Sequence, residues 1–405
     1  MTSLDPRGPP VLTHETLPLT PREREIVARA AQLSAERFWP RAAAVDRENR
    51  FPTEDFGDLF EAGLLGLTIP EAYGGLGVSD LAYAAVLLEI AKGSGATALC
   101  FTMHCTAMSY LRYLGSDDQR RRFYRRVLED GALVSALGSE PRANIFSAEL
   151  PSTRLERVPG GYLLQGRKIW CSLGPHAQVA FVNGQLDGRI VGALVDLDAD
   201  GVTKGTLWDS LSMRGTQSVD IAFDRVFVPE ADVVPEPLNL LLELEFGIGL
   251  ASAYLGVAES AYRVARQAAR GRIARLLESS IGHGHPDVGR LFTAVGDLRI
   301  SLVPAWLMVQ RAASIPHVGT LERTWALAEA KQVVAETAAR VAQDGLRVVG
   351  AQALMRGPFE RLFRDIQAGL VMAIKPDNAT YLAGRFELGV LPDGMADLVP
   401  AGGAP

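Results

Sequence analysis

Cysteine is scarce in this chain. Only Cys100, Cys105 and Cys171 occur in 405 residues, each in apolar surroundings, and their spacing forms neither a metal-ligand pattern nor a disulfide framework, so a reducing, cytoplasmic setting is expected. Basic charge is not in excess either. The chain has 41 Lys and Arg against 47 Asp and Glu, a net charge of -6, and the arginines are interspersed with acids, which argues against nucleic acid as a partner because phosphate binding needs a positive surface. Long apolar runs are missing. The apolar stretch at residues 246–258 is too short to span a bilayer, and the first residues are polar and proline-rich, without the apolar core of a secretory signal. His283 and His285 in GHGHP lack a third ligand, so no metal is expected. These shortages set aside nucleic acid, membrane and metal, and leave a soluble chain. At 48% hydrophobic and 22% charged, it can bury a sizeable core in two or three units.

Residues 1–20, rich in Pro and Thr, read as a disordered or loosely docked tail. Helical spacing dominates from 21 to 132. Thr20 is an N-cap with Pro21 at the first helical position and Glu23 behind it, opening a helix to about Trp39. A second helix follows Pro52, where Phe56, Leu59, Phe60 and Leu64 recur at helical spacing. The glycine-rich segment 69–79 lacks the Lys and Ser/Thr of a phosphate cradle and reads as a structural loop. Two apolar helices then cover 81–114. The second carries His104 among Met103, Cys105 and Met108, where a histidine is more often a satisfied core residue than a catalyst. Strand signals occupy 133–236, with a hairpin turn at Asp187 and Gly188. Helices return from 237 to 388; the first has a seam of small residues, Gly249, Ala253, Gly256 and Ser260, suited to close packing. Residues 389–405 form a second tail.

The most informative stretch is LLQGRKIWCSLGPHAQVAFV, residues 163–182. Alternation around Leu164 gives a strand, Gly166 interrupts it, and Gly174 and Pro175 turn the chain. Trp170, followed by Cys171, Ser172 and Gly174, sets a flat aromatic beside small residues, a surface that suits a flat heterocycle as well as a β-domain core. The stretch resembles the flavin-facing strand of the acyl-CoA dehydrogenase superfamily, N-G-x-K-x-W-I-[ST]-N-G, through Gly166, Lys168, Trp170, Ser172 and Gly174. Segment 211–234 resembles the family's M-G-x-R-G motif and the strand after it through Met213, Arg214, Gly215, Ser218, Phe223, Val226, Val228 and Pro229. GSEP at 138–141 resembles T-E-P, although RANIF follows where the family has G-A-G-S-D. Segment 344–366 resembles a third motif through Gly350, Pro358, Arg364 and Asp365.

The resemblance covers about residues 20–388. It implies an α+β fold with a helical N-terminal domain, a central β-domain and a C-terminal four-helix bundle, an FAD cofactor and a homo-oligomer, dimer or tetramer. By the same resemblance Trp170 lies against the isoalloxazine ring, Ser172 bonds near its N5 and O4 edge, and Ser139 sits at the pyrimidine end. Arg272 would reach the flavin pyrophosphate of a neighbouring subunit, and Gly350 belongs to the segment near the ADP part.

The family's usual catalytic base is absent. Its glutamate, nine residues after the Arg of the R-D pair, corresponds to Ala373, and the alternative position on the long bundle helix is Phe246. Abstraction of a proton α to a thioester carbonyl needs a positioned carboxylate. Glu245, beside Phe246, and Asp377 are the candidates, each more readily read as an ordinary surface or turn acid. The first expectation is therefore α,β-dehydrogenation of an acyl thioester, on CoA or a carrier protein, with a relocated base and an electron-transfer partner. The alternative is a monooxygenase of the same fold that receives reduced flavin from a reductase and oxidises a small molecule, with His104 and Ser172 supporting the oxygen step. A flavin-fold protein without turnover is the third reading.

Overall fold

The structure, a computed structural model, describes residues 10–141, 150–206, 208–234, 246–278, 281, 284–316, 320–372 and 375–390. Glu245, His283 and Ala373 lie outside them.

Helix α1 (Pro21–Leu33) starts as its sequence dictates. Thr20 and Glu23 form a reciprocal capping box and Pro21 sits in the first turn, satisfying end donors that have no partner within the helix. The chain then does not stop near Trp39. A π turn at Ser34–Phe38 leads into α2 (Trp39–Glu48). Pro40 lacks the N–H that would close an α turn, and a wider turn tolerates that loss. Helices α3 (Thr53–Glu61), α4 (Asp80–Gly93), α5 (Gly95–Leu114) and α6 (Asp117–Asp130) complete the N-terminal unit.

The segment expected as a tail is partly docked. Leu12, Leu17 and Leu19 are buried. Glu259 accepts hydrogen bonds from the backbone N–H groups of Val11 and Leu12, while Lys92 donates to the Leu12 carbonyl at 2.7 Å and to Glu89 at 2.8 Å. The anchors are two acids and a lysine buried on distant helices, which a reading of local composition misses.

Seven strands form one sheet in the order β1-β4-β2-β3-β7-β6, with β5 pairing β4 on its other edge. They are β1 (Val134–Leu137), β2 (Arg154–Val158), β3 (Gly161–Cys171), β4 (Val179–Leu186), β5 (Arg189–Asp196), β6 (Val202–Lys204) and β7 (Val219–Pro229). The β4–β5 hairpin closes at Asp187 and Gly188, both at positive φ, which is the two-residue turn that the sheet's right-handed twist favours. Strand β3 is irregular between Leu164 and Gly166 and again between Lys168 and Cys171. At Gly166 a Cβ would stand 2.7 Å from the Cα of Thr153, so only glycine fits.

The C-terminal unit comprises α7 (Gly247–Leu277), α8 (Pro286–Ser314), α9 (Leu321–Val349), α10 (Pro358–Val371) and α11 (Pro376–Glu387). The small-residue seam of α7 is used within the chain. A Cβ on Gly256 would lie 2.4 Å from the carbonyl oxygen of Leu88 in α4, and Ser260 donates to the Lys92 carbonyl at 2.6 Å. Helix α8 is long and apolar enough, by length and composition, to cross a bilayer; here it packs along α7 and α9 as a bundle helix.

Candidate functional site

Strand β3 carries the site. Lys168 points into the sheet and is fully buried, paired with Glu140 at 2.7 Å. Burial alone would raise the Glu140 pKa, but the Lys168 ammonium and hydrogen bonds from Ser152 and Thr153 hold it at about 2. The pair fastens GSEP to β3, and the amide of Ile169 donates to the Ser139 carbonyl at 3.0 Å. The next residue, Trp170, adopts φ 57, a left-handed conformation uncommon for a bulky residue. It turns the indole out of the sheet to 61% exposure, with Trp208 edge-on at 5.8 Å. A large aromatic held open beside small residues is a platform for a flat ring.

Behind the platform lies a row of hydroxyls. Ser172 is buried, with its Oγ 2.8 Å from Ser218 Oγ, which is 2.7 Å from Thr216 Oγ1. Thr216 gives its proton to the Met213 carbonyl at 2.8 Å. Each hydroxyl has one proton, so the row has a direction: Ser218 donates to Thr216, and Ser172 donates to Ser218.

The loop that supplies this row is clamped by the R-D pair. Asp365 accepts from the Met213 amide at 2.7 Å, and its pKa rises to about 6 because burial outweighs the pull of Arg361 and of that amide. Arg364 forks onto Asp46 at 3.0 and 2.6 Å, and Arg214 donates to the Asp46 carbonyl at 3.1 Å. One loop, the first domain and the bundle thus meet at a few charged groups. Sequence reasoning missed the Lys168–Glu140 pair, the Ser218–Thr216 row and the Asp46 clamp. The only visible signal was charge inside otherwise apolar strands.

Helix α5 backs the site. Cys100 Sγ lies 3.7 Å from the Thr216 carbonyl. One turn further on, His104 is fully buried; its Nε2 lies 3.0 Å from the Leu65 carbonyl and its Nδ1 accepts from the Val134 amide at 3.2 Å. Burial lowers its pKa to about 4, so the ring is neutral with both nitrogens engaged. The neighbour of Val134, Ser135, donates to the Ser172 carbonyl at 2.8 Å, which puts His104 behind the ring site as a brace.

Beyond His104, α5 also lines a small cleft with α4, the start of α7, and α9. Thr68, Tyr83, Thr106, Tyr110 and Phe246 are among its walls. Its acid, Asp80, is paired with buried Arg323 at 2.7 Å.

The other expected site residues lie apart. Asp377 is exposed in the first turn of α11. Arg272 pairs with Asp287 at the outer end of the bundle. Gly350 ends α9 at φ 77 with open space where a Cβ would be. Ser139, Trp170 and Ser172 do come together. His285 caps α8 through its Nδ1, and no group able to hold a metal occurs among the described residues.

Three family models match in sequence: the N-terminal domain of acyl-CoA dehydrogenase over residues 20–130, the middle domain over 135–226 and the C-terminal domain over 248–374. The chain belongs to the acyl-CoA dehydrogenase family. It is 31% identical to an L-evernosamine nitrososynthase of a Micromonospora species over 405 aligned positions, 91% of each chain. It is 28% identical to the benzylmalonyl-CoA dehydrogenase of Aromatoleum aromaticum over 365 positions, 87% of this chain and 94% of that one. Among solved structures, KijD3 in complex with FMN and an aminodeoxysugar nucleotide superposes with a TM-score of 0.77 at 27% identity, covering 94% of this chain and 97% of that one. A nitrososynthase and an acyl-CoA dehydrogenase therefore resemble this chain at similar identity.

Proposed function

We propose that this chain binds a flavin on the Trp170 face and acts as a reduced-flavin-dependent monooxygenase on a small molecule held in the adjoining cleft. The observation that carries the reading is the wall of that cleft: Phe246 stands there, and the one acid among its described residues, Asp80, is tied to Arg323. Proton abstraction from a thioester requires a carboxylate within reach of the substrate, and Asp377 is exposed on the last helix.

A bound reduced flavin supplies two electrons to dioxygen, so that one oxygen atom enters the substrate and the other leaves as water. The protein's part is positional. Trp170 would pack on the ring face, the 138–140 segment would border it, and Ser172, fixed by Ser218 and Ser135, would offer an oxygen at the ring edge. His104 keeps β1 in register behind Ser172. With FAD, as the resemblance implies, Arg272 of a neighbouring protomer and the segment at Gly350 would add contacts to the nucleotide end. A flavin reductase is the implied partner.

The second reading, acyl-thioester dehydrogenation, is favoured by the likeness to benzylmalonyl-CoA dehydrogenase and needs Glu245 as its base. The test uses flavin-loaded protein kept reduced by NADH and an added reductase, with isotopically labelled dioxygen and cyclohexylamine or indole as substrate. Label in an organic product supports the monooxygenase. Oxygen consumed without label in either compound, together with flavin bleaching by an acyl-CoA that Glu245→Gln abolishes, establishes the second reading.

A further inference from the structure

Met213 stands where two parts of the ring site meet. It is buried and holds φ 52 and ψ 39, a left-handed conformation that is disfavoured for a residue with a Cβ and persists only where its surroundings fix it. Hydrogen bonds at both ends of the residue do so. Its carbonyl accepts from the Thr216 hydroxyl at 2.8 Å, from the Thr216 amide at 3.0 Å and from Trp208 Nε1 at 3.4 Å. Its own amide donates to Asp365 at 2.7 Å. Asp365 belongs to α10, and its neighbour Arg364 donates to the Leu211 carbonyl at 2.9 Å, so the bundle grips the same loop twice.

Two branches leave the Met213 carbonyl. One is Trp208, which stands edge-on to Trp170 at 5.8 Å and so props the platform. The other is the row Thr216, Ser218, Ser172. Its two hydroxyl-to-hydroxyl contacts have no direction of their own, since either oxygen could donate in each. The direction comes from Met213. While that carbonyl takes the Thr216 proton, Ser218 gives to Thr216, Ser172 gives to Ser218, and the lone pairs of Ser172 face the ring edge. Were the carbonyl to swing away, Thr216 could donate to Ser218, the row could reverse, and Ser172 would present a proton instead.

We infer that Asp365 is a positioning residue of the ring site: from α10 it fixes Met213, and through Met213 it sets the Trp208 prop and the direction of the hydroxyl row, and with them the relative affinity for reduced and oxidised flavin. The inference rests on a flavin's lying on the Trp170 face, and deepens that reading by naming what governs its redox poise. Reduced flavin carries a proton at N5 that oxidised flavin lacks, so an accepting Ser172 favours the reduced form and a donating Ser172 the oxidised form.

The test is the midpoint potential of the bound flavin, read by reductive titration against a reference dye and independent of turnover. Asp365→Asn and Asp365→Ala remove the same charge, but only Asn keeps an oxygen for the Met213 amide, so the difference between them reports the hydrogen bond alone. The Ala variant should have a reduced-to-oxidised affinity ratio about tenfold below that of the Asn variant, the worth of one hydrogen bond, or about 30 mV for a two-electron couple. Thr216→Val cuts the row one bond further on and should lower the wild-type potential whether or not Asp365→Ala holds flavin. Added to Asp365→Ala it should change little, because both act on one path. Gly256→Ala, which strains the contact of α7 with α4, controls for general loss of stability and should leave the potential where it is. Equal potentials in the Asn and Ala variants, a potential unmoved by Thr216→Val, or a shift in Gly256→Ala as large as in Asp365→Ala overturns the inference while the flavin reading stands. Wild-type protein that takes up no flavin would sink that reading and the inference with it.

Discussion

Ser172 has one proton, and the row behind it consumes that proton. With Thr216 donating to Met213 and Ser218 to Thr216, Ser172 can only accept from whatever lies at the ring edge. A reduced flavin carries a proton at N5 and an oxidised one does not, so wild-type protein should bind the reduced form more tightly. Ser218→Ala releases the Ser172 proton outward and should lower the midpoint potential of the bound flavin; an unchanged potential in spectroelectrochemical titration would contradict this direction. Trp170→Ala should weaken flavin affinity at least tenfold, because it removes the ring platform, with visible absorption as the readout. A third prediction concerns Glu140. Glu140→Gln leaves the Lys168 ammonium buried without its counter-charge and should cost about 3–5 kcal/mol of stability. Because the folded-state pKa is depressed from 4.5 to about 2, the pair's stabilisation is present above pH 4.5 and fades as pH falls towards 2. The gap between wild type and variant in thermal unfolding should close over that interval, and a gap constant with pH would count against the pair.

At the scale of elements, α7 is held by close approach to α4. Gly256→Ala should destabilise by about 1–3 kcal/mol through overpacking against the Leu88 carbonyl, whereas Gly284→Ala, facing open space, should be near neutral in the same denaturant titration. Equal effects would mean that the seam is not tightly packed. Most elements were legible from the chain alone: caps at Thr20 and the hairpin at Asp187 and Gly188 follow local rules, and helices at 286–314 and 321–349 keep their period. The seam was legible as small residues, but its partner was not, since nothing in residues 249–260 distinguishes an intramolecular neighbour from a second subunit. The same limit hid the docking of Leu12, Leu17 and Leu19, and the direction of the hydroxyl row behind Trp170. Both depend on contacts between residues tens to hundreds of positions apart, which no periodicity encodes.

For the whole molecule, with the α7 seam occupied, an exposed apolar face suited to association lies on α8 among the described residues. Phe292, Ile300, Val303 and Leu307 recur there at helical spacing and are 58%, 70%, 40% and 57% exposed, an apolar stripe of the kind that marks an interface. Light scattering should find a dimer or tetramer at micromolar concentration, and the double substitution Ile300→Glu with Leu307→Glu should yield a monomer; a monomeric wild type would contradict the oligomer. The family was legible in Trp170, Ser172 and the Arg214 motif, and the missing glutamate in Ala373. The reaction was not legible, because it turns on whether a carboxylate faces the cleft. Anaerobic stopped-flow mixing of the oxidised, flavin-loaded protein with acyl-CoA substrates of short, medium, branched and aromatic type measures that directly. The account predicts that the visible flavin band persists with every one of them. Rapid bleaching by any, lost in Glu245→Gln, would show a dehydrogenase.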